Sequence, residues 1–482
     1  MAPDRELFAA RRLGFGLKPG ESISGSPRDW AVGQLSSVPE LDFYGPDGTN
    51  LRSQLSKWAD PIPDYETASK WVGFYNDKEY EIGKKSSSLP KAQFEHTMLV
   101  EVSYGDHIYP DWREALLRSL TAVNGPSPVF ERFWAFWVNH FAVSAQPFSQ
   151  LWFGPHTRLI RKHMVGRFAD MLHDAILQPA MIYFLDNFSS SGPHSKNGRN
   201  GETINENLAR ELLELHTISP AGGYTQQDII EAAYALSGWS FYTGKRDEPK
   251  RKKTPFGAFF EVEGHEPGPR TIMGKTYDAK NKGRDQAPEL VADLAARPET
   301  AQFISWKLIR HFVADDPPAD SVARVWDAWI ASDGDMLTIH SAVIDEVLAH
   351  GADYEKFATP SVWLHQMHRT TGIPIPLKEP YSNGYWINLV CDELGEPYGK
   401  PAQPDGFSTL KKDWVSKELL ERRVRYAYAA GLYLSDATAP FLLDYAKRLA
   451  GPDSELVARM AAAGRPDIAY TLLVASPQFM RI

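Results

Sequence analysis

Cysteine is almost missing from this chain: Cys391 is the only one in 482 residues. One thiol cannot close an internal disulfide or supply a thiolate metal cluster. A lone cysteine of this kind is expected to pack as a small buried hydrophobe. No run of about 20 apolar residues is present, so no membrane-spanning helix is expected. Positive charge is in deficit, with 52 Lys and Arg against 61 Asp and Glu for a net charge of −9. Electrostatic binding to nucleic acid or to an anionic membrane is therefore not expected. The stretch from Met1 to Gly20 is charged early and lacks an apolar centre. It does not fit a signal peptide, so the chain as written reads as cytoplasmic, or as secreted if a leader has been removed. No Gly-x-Ser-x-Gly elbow, no Gly-x-x-x-x-Gly-Lys phosphate loop and no strand-borne Gly-x-Gly-x-x-Gly occurs. Serine-hydrolase and nucleotide-binding chemistry lose their usual signatures with them.

What is present is apolar and aromatic mass. Hydrophobic residues make up 43% of the chain and aromatics 12%, with 14 Trp. That is enough to bury a large core. Helical spacing of apolar residues recurs along the chain. It predicts helices over 5–16, 29–35 and 66–82, a helix pair from 91 to about 123 broken near Pro110 with 112–122 as its second member, and helices over 129–143, 157–163, 166–177 and 179–185. Pro147, Gly154 and Pro155 are expected to break the pattern before residue 157. A Ser/Gly/Asn loop from Asp186 to Gly201 is long enough to carry function. Thr225 is expected to cap a helix over 226–239, with Asp228 in its first turn. Residues 245–253 are a basic, solvated run, while 259–262 and 271–273 are expected to pair as a small hairpin around 264–269. Helices resume at 285–296, 298–313, 318–331, 335–349, 359–370, 416–432, 440–449, 453–462 and 466–475. The expected fold class is mainly α, a large multi-helix domain with a small β-hairpin insertion. Residues 1–355 form its main body, and 356–482 form a C-terminal helical lobe or part of the same domain.

The most informative stretch is Asn205-Glu206-Asn207-Leu208-Ala209-Arg210-Glu211-Leu212-Leu213-Glu214-Leu215-His216. At roughly 100° per residue, Glu206, Asn207, Arg210, Glu211 and Glu214 fall within an arc of roughly 140°. The leucines and His216 cover the rest. Such a face is either a solvated surface laced with i,i+4 ion pairs or the floor of an acidic pocket.

The same stretch runs on through His216-Thr217-Ile218 to Gly222-Gly223-Tyr224-Thr225-Gln226-Gln227-Asp228. It resembles the family catalogued as domain of unknown function 1800. Further pieces stand in that family's order: Arg11-Arg12-Leu13-Gly14-Phe15-Gly16, Phe136-Trp137-Val138-Asn139-His140-Phe141, Leu185-Asp186-Asn187, Ala235-Leu236-Ser237-Gly238-Trp239, Pro404-Asp405-Gly406-Phe407 and Ser476-Pro477-Gln478-Phe479. Val138 stands where the family commonly has a second histidine. The resemblance spans nearly the whole chain. It implies a fold and the place of a site, but no reaction.

Three readings fit these residues. Glycoside hydrolysis needs two carboxyl groups, about 5–5.5 Å apart for retention and about 6.5–9.5 Å for inversion. Glu206, Glu211 and Asp186 are the expected catalytic acids, and Glu214 is a further carboxylate. Arg210 and Asn207 would hold charge and substrate, His140 would orient a partner, and Trp137, Tyr224 and Trp239 would offer apolar platforms. Glu206 and Glu211 diverge by about 140° on one helix, which makes Asp186 the alternative partner for Glu206. No cofactor or metal is expected on this reading. The alternative is a metal centre ligated by His140, His163, His216 and Glu211, although no His-Glu-x-x-His spacing exists. The third is a glycan- or partner-binding scaffold without chemistry. The leading expectation is a hydrolase of a carbohydrate or similar polar polymer, or of a small molecule. Its oligomeric state is open.

Overall fold

The computed structural model describes residues 4–53, 68, 110–145, 150–241, 258–375, 380–434 and 439–482. The helix expected at 66–82 (except Ala68), the segment from 91 to 109 and the basic run at 245–253 lie outside these residues.

Most described residues are helical, and local chemistry explains where helices start. Asp4 accepts the Leu7 N–H to cap Arg5–Leu13. Pro128 opens Pro128–His140, where its missing N–H costs nothing, and Gln34 Oε1 takes the next N–H, that of Val129. Thr225 and Asp228 form a reciprocal capping box on Gln226–Leu236. That helix stops three residues before the expected end. Gly238 turns at φ +81°, and Trp239 enters a strand instead.

Two expectations need correction. The helix expected at 157–163 starts at Gln150 and runs through Pro155 to Lys162. Only one turn in, Pro155 forfeits a single hydrogen bond. Buried Trp152, Phe153 and Ile160 on the same helix outweigh it. The expected pairing of 259–262 with 271–273 does not form. Instead β1 (Trp239–Phe241) pairs antiparallel with β2 (Ala258–Phe260), and β3 (Arg270–Ile272) with β4 (Lys275–Tyr277). Met273 and Gly274 both have positive φ, as a two-residue type I′ turn requires, so β3 finds its partner locally. A helix over Pro380–Glu393 is additional to the expected set.

Two apolar clusters organise the chain. The first is centred on Phe130, Phe133, Trp134, Trp137 and Phe141 and gathers the helices up to residue 350. The second gathers the helices after residue 357, but it also takes Leu7, Phe15, Phe43 and the Pro110–Asn124 helix. The C-terminal lobe is therefore built jointly with the first quarter of the chain, not from 356–482 alone. Buried arginines join the two. Arg12 donates to the carbonyls of Val313 (2.9 Å), Gly351 (2.8 Å) and Tyr354 (2.9 Å), while its neighbour Arg11 donates to Phe479 (2.8 Å). Arg369 donates to the carbonyls of Gly16, Val123 and Gly125.

A second joint matters more for the site. Asn139 Nδ2 donates to the Phe407 carbonyl (2.9 Å), and the Phe407 N–H donates back to Asn139 Oδ1 (2.8 Å). Gly406, at φ +79°, makes this approach possible, because a Cβ there would sit 2.5 Å from both Asn139 oxygens. Gly406→Ala is expected to destabilise the protein by about 2 kcal/mol or more in urea unfolding, through steric conflict and left-handed strain together. A loss below about 0.5 kcal/mol would show that the joint yields.

Candidate functional site

The organising stretch is a helix only from Asn207 to Glu211. Asn205 Oδ1 accepts the Asn207 N–H (2.8 Å) at its start. Leu212–His216 then widens into a π-helical turn, a form often found at functional sites. Thr217 Oγ1 closes it by donating to the Leu212 carbonyl (2.6 Å). The 100° projection therefore holds only to Glu211.

The polar face splits into two halves. In the first, Arg210 binds Glu206 (3.0 Å), Glu214 (3.3 Å) and Gln226 Oε1 (3.2 Å), and Gln226 Nε2 donates back to Glu206 (2.8 Å). This is the i,i+4 lacing anticipated from the spacing, extended to a second helix. All three charged side chains of this network are between one fifth and two fifths exposed, so each pair is worth well under 1 kcal/mol. Asn207 is exposed beside them.

The second half surrounds Glu211. Its half-buried carboxyl has a raised pKa, first from burial and then from the like charges of Glu214 and Asp405, with Arg210 opposing. Tyr224 stands beside Glu214, and burial together with that carboxylate pushes its phenol up to about 12. Lys307 has Asp405 as a nearby anion. Burial nevertheless draws its pKa down to about 8. Its ammonium donates to His140 Nδ1 (2.9 Å). His140 is therefore neutral with its proton on Nε2, and its carbonyl receives the Nδ1–H of His216 (3.1 Å). The two rings meet edge to face with centroids 5.7 Å apart. Among the described residues, neither Nε2 has a hydrogen-bond partner.

The other expected residues lie elsewhere. Asp186 is exposed in a left-handed turn at φ +56°, where its carbonyl, not its carboxylate, accepts from Ser189 Oγ. Glu206 and Glu211 serve different partner sets, as the 140° divergence implied. Trp137 is fully buried, with its indole N–H donated to His340 (2.9 Å), and Trp239 is buried in β1. Both are core residues, and of the expected platforms only Tyr224 stands beside the acids. His163 is engaged by Asp174 (2.7 Å), which also takes His173. Burial opposes these bonds, yet they hold the Asp174 carboxyl well below its usual range. His163 thus does not join His140 and His216. Among the described residues, no three His, Cys, Asp or Glu side chains are placed to share one metal ion.

Asp405, Lys307 and Gln226 were not on the expected list. Asp405 belongs to the Pro404-Asp405-Gly406-Phe407 motif, nearly 200 residues from Glu211. The Asn139–Phe407 joint is what delivers it.

A family model described as "Protein of unknown function (DUF1800)" matches residues 8–481. No curated protein and no solved structure matches the chain.

The buried imidazoles set a pH dependence. Burial holds His216 and His340 down to about 3 and His140 well below 6.5. Each folded value lies below the unfolded one of about 6.5, so protonation favours the unfolded chain. Their contribution is complete above about pH 6.5 and is shed as pH falls, at about 1.4 kcal/mol per pH unit for each ring. Urea unfolding at pH 7 and pH 5 is expected to show several kcal/mol of loss at the lower pH. Equal stability at both would mean that these rings take up protons as readily in the fold as in the unfolded chain.

Proposed function

We propose that this chain, which belongs to the DUF1800 family, is a hydrolase that uses Glu211 and Asp405 as an acid/base pair on a carbohydrate or similar polar polymer. The observation that carries the reading is the environment of Glu211: a half-buried carboxyl kept closer to its protonated form by burial and by two neighbouring carboxylates. Catalytic acids are found where burial and like charges shift a carboxyl upward. Glu211 would protonate the leaving oxygen. Asp405, a nearby anion of the Lys307 ammonium, would act as base toward water or as nucleophile. Lys307 would also balance the negative charge of the cluster. Tyr224 and Glu214 would position the substrate, with Tyr224 offering a ring face. Arg210, Glu206 and Gln226 form a closed network and are assigned the task of fixing the helix against its neighbour. His140 would fix the direction of the Lys307 ammonium.

The test is a glycan screen with reducing-end detection, followed by substitutions on any substrate found. Glu211→Gln and Asp405→Asn are each expected to lower kcat by about 10²–10⁴-fold with folding intact, and Glu206→Gln by only a few-fold. A general acid works while protonated, so kcat should fall as pH rises through the raised pKa of Glu211. Turnover by Glu211→Gln at the wild-type rate would overturn the assignment. If both variants only weakened glycan binding, with no turnover by the parent, the chain would be a binding scaffold.

A further inference from the structure

A second feature lies between the two apolar clusters, behind the helix that carries His140. It is a cavity of about 140 Å³ walled by Phe15, Trp134, Val143, Phe153 and Phe407. Its 396–409 wall belongs to the same loop that carries Asp405. Two polar side chains in this lining are out of place for a dry apolar void. Arg132 is 3% exposed, yet its Nε is without a hydrogen-bond partner among the described residues. It lies over the face of Phe312 (5.9 Å), with Glu396 as a nearby anion and Arg12 and Lys356 as nearby cations. His311 is 8% exposed, and its Nε2 is also without a partner among the described residues.

The surrounding charges do not satisfy Arg132. Glu131, on the same helix, is taken by Arg161 through two bonds of 2.7 and 2.9 Å. Glu396 accepts the N–H and the hydroxyl of Ser361, at 2.7 and 2.9 Å, so both its oxygens are in use. Its charge is also shared with a second buried guanidinium, that of Arg423. Two guanidiniums thus face one carboxylate in a low-dielectric region, a costly arrangement unless a further anion enters. A guanidinium also presents a fork of donors that matches a planar or tetrahedral oxyanion. An apolar cavity of about 150 Å³ accepts a guest the size of benzene, so this one holds about six non-hydrogen atoms.

We propose that this cavity binds one small oxyanion, a short-chain carboxylate or inorganic phosphate, on Arg132 with His311 as second contact. The apolar walls favour a carboxylate with a short hydrocarbon body. The site is distinct from the Glu211 cluster, and its occupancy does not depend on the hydrolytic reading.

Calorimetric titration of the full chain with propionate, and separately with phosphate, tests the proposal, with chloride at equal ionic strength as the control. One equivalent is expected to bind per chain, together with a rise in the thermal midpoint of about 2 °C or more at saturating anion. Binding of propionate identifies a carboxylate ligand, and binding of phosphate an inorganic one. Arg132→Met keeps the volume and removes an unbalanced buried charge, so it should fold at least as stably as the parent. It is expected to weaken binding at least about tenfold through loss of the charge-assisted fork. His311→Phe, which preserves the ring packing against Phe136 and Phe312, should weaken it less. The proposal is overturned if the parent binds neither anion, or if Arg132→Met binds either as tightly as the parent.

Discussion

The architecture depends on buried guanidiniums bonded to backbone carbonyls. Arg12 reaches the carbonyls at the ends of two helices, Pro298–Phe312 and Met336–His350, through Phe312, Val313 and Gly351. Helix C-termini leave four carbonyls without intrahelical donors and carry partial negative charge. One planar cation can therefore satisfy several orphan acceptors and hold two helices at a fixed distance. Arg11 does the same for the chain end at Phe479, and Arg369 for the turns at Gly16 and Gly125. These contacts are worth more than surface ion pairs because neither partner can return to water without unpairing the other. They also explain why an acidic protein spends so many arginines on its interior.

Within that frame the His140 helix is a partition. One side meets Lys307, His216 and the π-helical turn. The other side opens on the Arg132 cavity, and Asn139 between them holds the 405–407 loop. Lys307, bonded to His140, has Asp405 as a nearby anion, and Arg132, in the cavity lining, shares Glu396 with Arg423. The joint at Asn139 couples the two sides mechanically, since the loop that carries Asp405 also walls the cavity.

The helical scaffold was readable because its signals are local. Apolar spacing, Pro128 and Pro298 at first-turn positions and the Thr225/Asp228 box each act within a few residues. The acidic face and its Glu206–Arg210–Glu214 lacing were readable for the same reason. What could not be read was non-local. The partner of Glu211 lies almost 200 residues downstream, and no spacing rule ties it there. Trp137 looked like a platform because burial of one face of a helix does not say which residues reach the rim. The π-helical turn escaped because leucines at 212, 213 and 215 suit an α-helix equally well. The strand pairing failed because a two-residue turn at Met273-Gly274 offered β3 a nearer partner than 259–262.

The bond from Arg11 to Phe479 spans 468 positions of sequence. A ribosome adding about 5–20 residues per second needs roughly 25–100 s to cover that distance. Until then the first helix lacks the Phe479 carbonyl its Arg11 will bind, and the second cluster around Leu7 and Phe15 stays incomplete. The usual advantage of vectorial synthesis, in which early segments finish folding before late ones appear, is denied to this chain. Its opening helix completes its contacts only when the closing segment arrives.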